Sequence, residues 1–329
     1  MMDFWPPGLW VSIGLGLLLL AVGGELLVRG ASSAARKLGV SPLLIGLTLV
    51  GFGTSTPELV TSLQAAFAGS PGIAVGNVVG SNISNVLLIL GLAALLAPIL
   101  VDRRAFLRDG PVLAVVTGAA IWALLQGALT RELGLAAVGI LVVYILVVWL
   151  LERRRPDPEG ERIEDEGTAK SGLGGSPWLS LLLAVVGIGI TIVGARFLVD
   201  GSVSLARNLG ISDTVVGLTI VAVGTSAPEL VTSIIAALRR QGDVALGNVI
   251  GSNLYNLLGI LGITALVAPI PVPPDILQID IWVLAAATLT MIVFAIRGSR
   301  IGRTEGLLLV LGWLAYTAWL IWNAGVFAV

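Results

Sequence analysis

The sequence GTSTPELVTS, residues 53–62, returns 171 residues later as GTSAPELVTS, residues 224–233. Sliding the chain by that offset matches residues 39–98 to their counterparts without a gap and leaves 33 identities in 60 pairs. The same offset aligns GNVVGSNISN at 76–85 with GNVIGSNLYN at 247–256. A similarity of this length within one chain predicts two halves with the same local structure.

The composition around these repeats is that of a membrane protein. Of the 329 residues, 56% are hydrophobic and 12% are charged, and the mean hydropathy is +0.99. Soluble domains carry about 25% charged residues, so the bilayer must solvate most of this chain. The absence of His and Cys excludes thiolate nucleophiles, Cys/His zinc sites and His-based catalytic pairs. We therefore expect no enzyme and no cofactor, and a net charge of −1 gives no reason to expect nucleic acid.

A transmembrane helix needs about 20 mostly apolar residues. Ten stretches of the sequence qualify: 9–28, 41–69, 72–98, 110–129, 133–152, 177–199, 212–238, 243–268, 280–297 and 305–324. The expected fold is an all-α membrane protein of ten helices in one integral membrane domain. Its parts are a five-helix repeat at 1–152, a linker at 153–176 and a second five-helix repeat at 177–329.

Equivalent positions of the two copies lie five spans apart, which is an odd number. The second copy must therefore enter the membrane from the opposite face. Inverted repeats of this kind, with broken helices and a binding site at the midplane, are typical of secondary transporters. A channel can also contain repeats, so a channel remains open as an alternative.

The distribution of basic residues predicts the orientation. With the N-terminus outside, the cytoplasmic loops and their edges hold 16 of the 19 Lys and Arg residues, as the positive-inside rule requires. Both termini are then expected outside, and the loop at 153–176 is expected in the cytoplasm. This loop is charged and rich in Pro and Gly, which favours a disordered linker over a calcium-sensing segment.

Each copy places Gly-Thr-Ser-x-Pro-Glu in the middle of an apolar span. Proline removes a backbone donor and breaks or kinks the helix. The break is expected to free backbone carbonyls of these residues: Gly51, Thr54, Ala222 and Thr225. The next residue is Glu58 in one copy and Glu229 in the other, and neither span contains a Lys or Arg at that depth.

Two carboxylates without a counter-charge predict a binding site of charge −2 for a cation. Ca²⁺ takes about 6–8 oxygen ligands, with carboxylates and backbone carbonyls among them. The alternative is that Glu58 and Glu229 are protonated and only hydrogen-bonded. The repetition of so costly a group in both copies favours the cation site.

The second motif contributes neutral oxygen atoms. Ser81 and Asn85 lie four residues apart, so they share one helix face, and the same holds for Ser252 and Asn256. These side chains are expected to bind the cation or to support its ligands. Packing between helices is the alternative, since small and amide side chains are common at membrane helix contacts. Both interpretations stay open for the remaining amides: Asn77, Asn82, Asn248 and Asn253.

The first and sixth spans carry a further pair of charges. Glu25 and Arg29 align with Arg196 and Asp200, with the signs reversed. The spacing of four residues predicts local salt bridges, and a role in gating is the alternative.

With these motifs, the chain resembles the sodium/calcium exchangers of the calcium/cation antiporter superfamily. The resemblance covers the ten-span pattern, and the quoted motifs look like the two alpha-repeats of that family. It implies alternating access in which sodium enters down its gradient and drives calcium out. It further implies a protein of the cell's inner (plasma) membrane that works as a monomer, with Ca²⁺, Na⁺ and the lipid bilayer as its partners.

By motif match, the resemblance implies roles for single residues. Glu58 and Glu229 would bind calcium in a bidentate manner, and Thr54 and Thr225 would add their backbone carbonyls. The flanking sodium sites would be formed by four hydroxyls and two carbonyls: Ser55, Ser226, Ser81, Ser252, Gly51 and Ala222. Asn85 and Asn256 would line the centre.

Two departures from the family bear on these expectations. Some prokaryotic members carry an acid where this chain has Asn256, so the site charge here is −2 rather than −3. Proton/calcium exchangers of the superfamily usually show Gly-Asn-Ala-x-Glu in place of Gly-Thr-Ser-x-Pro-Glu. Sodium is therefore favoured as the coupling ion, and an exchanger of protons for Ca²⁺ or another divalent cation is the alternative. The first and sixth spans are the candidates for the moving gate.

Overall fold

The computed structural model describes residues 7–152, 176–208, 222–298 and 300–323. The expected linker at 153–176 lies outside the described residues except for Ser176. The start of the expected seventh span, up to residue 221, lies outside them as well.

The first half is helical apart from two short strands. Its elements, in chain order, are α1 (Pro7–Leu38), α2 (Pro42–Ile45), the π-helix π1 (Gly46–Val50), α3 (Gly51–Thr54), α4 (Thr56–Phe67), α5 (Pro71–Ser84), π2 (Asn85–Leu90), α6 (Gly91–Leu96), β1 (Ile99–Leu100), α7 (Arg103–Leu125), β2 (Ala128–Leu129) and α8 (Arg131–Glu152).

The described part of the second half repeats this order. Its elements are α9 (Pro177–Asn208), α10 (Ala222–Thr225), α11 (Ala227–Leu238), α12 (Gly242–Leu254), π3 (Tyr255–Ile260), α13 (Leu261–Val267), β3 (Ile270–Pro271), π4 (Ile276–Asp280), α14 (Ile281–Gly298), β4 (Arg300–Ile301) and α15 (Arg303–Asn323).

Eight of the described helices are long and apolar enough to cross a membrane. A ninth span is the pair Leu43–Thr54 and Thr56–Phe67, which is bent by 43°. The apolar helix α11 follows α10 after Ser226, as α4 follows α3 after Ser55 in the first half. The architecture is consistent with the ten-helix inverted repeat expected from the sequence.

Helix α1 is longer than its expected span of 9–28, since it continues to Leu38. The charged residues after position 28 lower the hydropathy but do not stop a helix. The stop comes at Gly39, whose φ of +63° suits glycine. There the Val40 amide closes the helix with a hydrogen bond of 3.1 Å to the Ala35 carbonyl.

Helices α1 and α9 pack against each other along their whole length through glycines spaced by seven residues. The glycines of α1 are Gly16, Gly23 and Gly30, and their repeat counterparts in α9 are Gly187, Gly194 and Gly201. A Cβ atom at Gly16 would lie 2.5 Å from the Leu198 nitrogen, and one at Gly187 would lie 2.4 Å from the Leu27 nitrogen. Small residues at this spacing let the two backbones approach closely. The two helices therefore form one tightly packed pair.

Two short antiparallel ribbons connect the halves at their ends. Strand β1 pairs with β4, and Ile99 lies opposite Ile301. Strand β2 pairs with β3, and Leu129 lies opposite Ile270. Ile99 and Ile270 are repeat counterparts, so the two ribbons follow the same two-fold relation as the helices.

The spans that carry the second motif lie at the centre of the molecule and are the most buried. Helix α12 crosses π1 almost in backbone contact, because a Cβ atom at Gly251 would lie 2.1 Å from the Leu47 carbonyl oxygen. This close approach places Gly51, just after π1, beside Ser252.

Candidate cation-binding site

Both motif helices break at the serine two residues before the proline, which is Ser55 in one half and Ser226 in the other. Ser55 has φ −81° and ψ 10°, and Ser226 has φ −88° and ψ 11°, so neither residue is helical. The helices resume as α4 and α11, and Glu58 and Glu229 lie in their first turns. The N-terminus of a helix favours negative charge, so the break itself helps to stabilise each carboxylate.

The two halves exchange hydrogen bonds across the centre. The Ser55 hydroxyl donates to Oε1 of Glu229 over 2.8 Å. The Ser226 hydroxyl donates to Oε1 of Glu58 over 3.0 Å. The serine at the break of one half therefore contacts the carboxylate of the other half, as a two-fold relation requires.

Each carboxylate keeps one oxygen without a protein partner. Oε2 of Glu58 and Oε2 of Glu229 accept no hydrogen bond, although both side chains are 1% exposed. No ion pair reaches either carboxylate from the residues that the structure describes. A buried anion without a partner is costly, so two such oxygens are free to bind a cation.

Among the described residues, Glu58 and Glu229 are the acidic side chains at this point. Within the described ranges, no cluster of three or more His, Cys, Asp or Glu side chains occurs. Hydroxyl, amide and carbonyl oxygens must therefore complete any coordination shell around a cation.

Amides of the second motif meet beside the carboxylates. The Asn85 amide donates to Oδ1 of Asn253 over 3.0 Å and so connects the two halves. The counterpart contact, from Asn256 to Asn82, is absent: Oδ1 of Asn82 and both amide atoms of Asn256 have no partner in the described structure. Asn256 is completely buried, so its amide is available to a ligand.

The Gly51 carbonyl was expected to be free to bind an ion, but it already accepts hydrogen bonds within the protein. It accepts hydrogen bonds from the Ser55 nitrogen at 3.2 Å and from the Ser252 hydroxyl at 3.1 Å. The structure thus brings Gly51 of one half and Ser252 of the other together.

The remaining expected ligands lie close to the breaks. Thr54 is completely buried, and its hydroxyl donates to the Val50 carbonyl over 3.0 Å. Thr225 ends α10 and is half-buried, and Ser81 is buried in α5. Ala222 begins α10, and its side chain lies outside the described part of the structure.

The sequence leaves two interpretations of Asn77 and Asn248 open and assigns no role to Ser62 and Ser233. In the structure these residues form the same contact in both halves. The Asn77 amide nitrogen lies 3.1 Å from the Glu58 carbonyl and 2.9 Å from the Ser62 hydroxyl. The Asn248 amide nitrogen lies 3.3 Å from the Glu229 carbonyl and 2.8 Å from the Ser233 hydroxyl. The serines end the quoted motifs, so their repetition was the available signal.

A second pair of acidic residues, Asp109 and Asp280, also follows the offset of 171. The sequence-based expectations give this pair no role. Asp109 accepts a hydrogen bond of 2.9 Å from the Tyr144 hydroxyl, and Asp280 accepts one of 2.8 Å from the Tyr316 hydroxyl. These contacts join α7 to α8 and π4 to α15. Arg108 also pairs with Asp109 at 2.7 Å, so this acid is neutralised within the protein, unlike Glu58.

Of the local salt bridges expected in the first and sixth spans, one is present. Glu25 pairs with Arg29 and also with Arg239, at the end of α11. No ion pair joins Arg196 to Asp200 among the described residues.

The fold and the site together define a class of protein. Two inverted halves with broken helices, and with unpaired acidic residues where the breaks meet, are the architecture of a secondary membrane transporter.

Comparison with known proteins identifies the family. Residues 8–150 and 179–322 match the sodium/calcium exchanger protein family, and the chain belongs to that family. It is 38% identical over 311 residues to the putative antiporter CaxA of Alkalimonas amylolytica, covering 93% of this chain and 96% of CaxA. It is 36% identical to the sodium/calcium exchanger MaX1 of Methanosarcina acetivorans, covering 92% of this chain and 95% of MaX1.

The fold agrees with solved structures of this family. The sodium-calcium exchanger NCX_Mj, soaked with 2.5 mM Na⁺ and 0.1 mM Ca²⁺, superimposes with a TM-score of 0.80 at 32% identity. The match covers 94% of this chain and 97% of that chain. NCX_Mj soaked with 10 mM Na⁺ and 10 mM Sr²⁺ gives a TM-score of 0.81 at 33% identity, covering 94% and 98% of the two chains.

Proposed function

We propose that this protein exchanges Na⁺ for Ca²⁺ across the membrane by alternating access, and that Glu58 and Glu229 bind the transported ions. One observation carries the proposal. Two repeat-related carboxylates are buried at the centre, each with one oxygen bonded to the opposite half and one oxygen unpartnered. The other expected ligands complete the shell: Thr54, Thr225, Ser55, Ser226, Ser81, Ser252, Asn85, Asn256, Gly51 and Ala222. The ions are cargo, so no cofactor takes part.

The charge of the empty site explains why transport is coupled. Empty, the site would move two uncompensated carboxylates past a low-dielectric barrier, which desolvation strongly opposes. A bound Ca²⁺ neutralises the charge of −2, and so do two Na⁺ ions. The loaded forms therefore reorient more easily than the empty one, and exchange is favoured over uncoupled flux.

The proposal includes where the protein lies and how it moves. It places the chain in the inner membrane as a monomer, with both termini outside and the loop at 153–176 in the cytoplasm. A relative 37% identical, YrbG of Escherichia coli, is described as an inner membrane protein. The α1–α9 pair is the moving gate, which its close glycine packing supports.

Flux of ⁴⁵Ca²⁺ into proteoliposomes tests the coupling ion. The account predicts uptake driven by an outward sodium gradient and none driven by potassium or proton gradients alone. Uptake that follows a proton gradient without sodium would favour the proton/calcium alternative. Calcium flux without any countergradient, with unitary currents in bilayers, would favour the channel.

A further inference from the structure

We infer that Asn77 and Asn248 are positioning residues: they fix the places of Glu58 and Glu229 through donated hydrogen bonds and do not bind the cation. The inference rests on the proposed function and deepens it. It decides between the two roles, ligand or packing residue, that the sequence leaves open for these amides.

Both hydrogen-bond donors of each asparagine amide are in use. An amide nitrogen carries two hydrogens, and each of these nitrogens has two acceptors, the carbonyl of the acidic residue and a serine hydroxyl one turn later. The Asn248 side chain is completely buried. Its donors are therefore fully engaged with α11, and the same pair of bonds holds Asn77 to α4.

We call the two hydrogen bonds donated by Asn77, or by Asn248, a clamp. The break in each motif helix explains why a clamp is needed. Glu58 and Glu229 lie in the first turn after a non-helical serine, so the preceding helix does not fix their position. Two hydrogen bonds from α5 or α12 fix this turn instead. Because the clamp has the same form in both halves, it sets how far apart the two carboxylates stand around a cation.

The substitutions Asn77→Asp and Asn248→Asp separate the roles. Aspartate keeps the size and the side-chain oxygen but loses the two donors, and its charge repels the carbonyl. If the asparagine positions the glutamate, each Asp variant should raise the apparent KM for Ca²⁺ about tenfold. Asn77→Ala and Asn248→Ala should raise it by a similar factor. Vmax per folded protein should change little.

If the asparagine were a direct ligand, its Asp variant would have a lower KM for Ca²⁺, because an added carboxylate strengthens calcium binding. An Asp variant with an unchanged or lower KM therefore overturns the inference. Ser62→Ala and Ser233→Ala are the milder test, and they replace the Asp variants as the deciding test if those do not fold. Each removes one of two acceptors and should raise KM about threefold, and an unchanged KM overturns the inference. If the unaltered protein shows no sodium-driven uptake, the proposed function itself has failed.

A second observation stands apart from the ion site. The geometry points to an ionic latch between Glu25 of α1 and Arg239 at the end of α11, which holds one of the two transport conformations. The Arg239 side chain contacts Glu25 through two nitrogen atoms, Nε at 2.7 Å and Nη2. Beside it, the Ser32 hydroxyl donates to the Gln241 side chain over 2.7 Å.

The latch occurs on one side of the molecule only. Helix α1 packs along α11, whereas the repeat-related helices α9 and α4 make almost no contact. The counterparts of Glu25 and Arg239 are Arg196 and Ala68, which cannot form an ion pair. In an inverted repeat, the opposite conformation exchanges the roles of the halves. The opposite conformation lacks the latch. The present conformation, in which α1 is held against the end of α11 by Arg239, is therefore favoured over it.

The absence of Cys allows a direct test. Ile235 of α11 lies under Gly24 of α1, where an added Cβ would come within 2.7 Å of it. In an Ile235→Cys background, labelling by a membrane-impermeant maleimide reports when α1 leaves α11. Arg239→Gln and Glu25→Gln should each speed labelling about twofold to fivefold, and the exchanged pair Glu25→Arg with Arg239→Glu should restore the slow rate.

Two further variants sharpen this test. Arg240→Gln removes the same charge from the same loop without touching Glu25 and should leave labelling unchanged. Ala68→Glu offers Arg196 a partner in the opposite conformation and should speed labelling. Equal rates in Arg239→Gln and the Ile235→Cys parent would overturn the latch. Because labelling needs no transport, this result is independent of the proposed function.

Discussion

At the level of single residues, the site depends on side chains that act across the molecular two-fold. Ser55 and Ser226 each hold the carboxylate of the other half, over 2.8 and 3.0 Å. A hydrogen bond to a charged group contributes about 1.5–3 kcal/mol. The two hydroxyls therefore hold one oxygen of each carboxylate, and the other oxygen has no partner among the described residues.

Replacing either hydroxyl is expected to weaken ion binding. Ser55→Ala and Ser226→Ala should each raise the apparent KM for Ca²⁺ in sodium-driven uptake by about tenfold or more, because the carboxylate loses a side-chain hydrogen-bond donor. The matched control is Thr56→Ala, since the second copy already has Ala227 at this position. Serine variants that match Thr56→Ala in KM would contradict the crossed arrangement.

Asn256 breaks the symmetry of the site, since its amide has no partner while Asn85 is bonded to Asn253. An added carboxylate here tests the charge argument. In Asn256→Asp, a site loaded with Ca²⁺ carries −1 when the new acid is ionised and 0 when it is protonated. Uptake by this variant should therefore fall several-fold as the pH rises, relative to the unaltered protein measured at the same pH. Parallel pH profiles would speak against a site charge of −2.

At the level of elements, the breaks and the π-helices prepare the site. Asn85 begins π2 and Asn256 lies in π3. A π-turn changes the direction of the side chains that follow, and such turns are frequent at functional sites. The serine breaks and the π-helices thus change the direction of the backbone at the motif residues of both halves.

The glycine contacts between α1 and α9 predict a sharp difference between two neighbouring positions. Gly187→Ala would place a methyl group against the backbone of α1 and should destabilise the protein by about 1–3 kcal/mol. Gly189→Ala, two residues away, meets nothing within 4 Å and should be neutral or slightly stabilising. Thermal melting in detergent, followed by tryptophan fluorescence, measures both. Equal melting temperatures would contradict the close packing.

Much of this arrangement could be predicted from the sequence, and the limits have physical causes. The repeat of 171 residues predicted inverted halves, and Pro57 and Pro228 predicted the breaks. Hydropathy underestimated α1 because it detects the apolar span and not the helix, which continues to Gly39. The contact of Glu25 with Arg239 could not be predicted, since it joins residues 214 positions apart.

At the level of the whole molecule, the distribution of charge follows from the bilayer. Most basic residues lie where the loops begin or end, and the buried acid Asp109 is paired with Arg108. Glu58 and Glu229 differ, since no described basic residue reaches them. Membership of the sodium/calcium exchanger family is consistent with our proposal that the transported ion supplies the missing counter-charge.

The most direct test of this central claim is sodium-driven ⁴⁵Ca²⁺ uptake by proteoliposomes containing Glu58→Gln, Glu229→Gln or the unaltered protein. Each amide keeps the volume of the side chain but leaves only one carboxylate for the ion. The account predicts uptake in the unaltered protein and a loss of about 100-fold or more in either variant, with unchanged melting profiles. Uptake near the unaltered rate in a folded Glu58→Gln or Glu229→Gln variant would contradict the account.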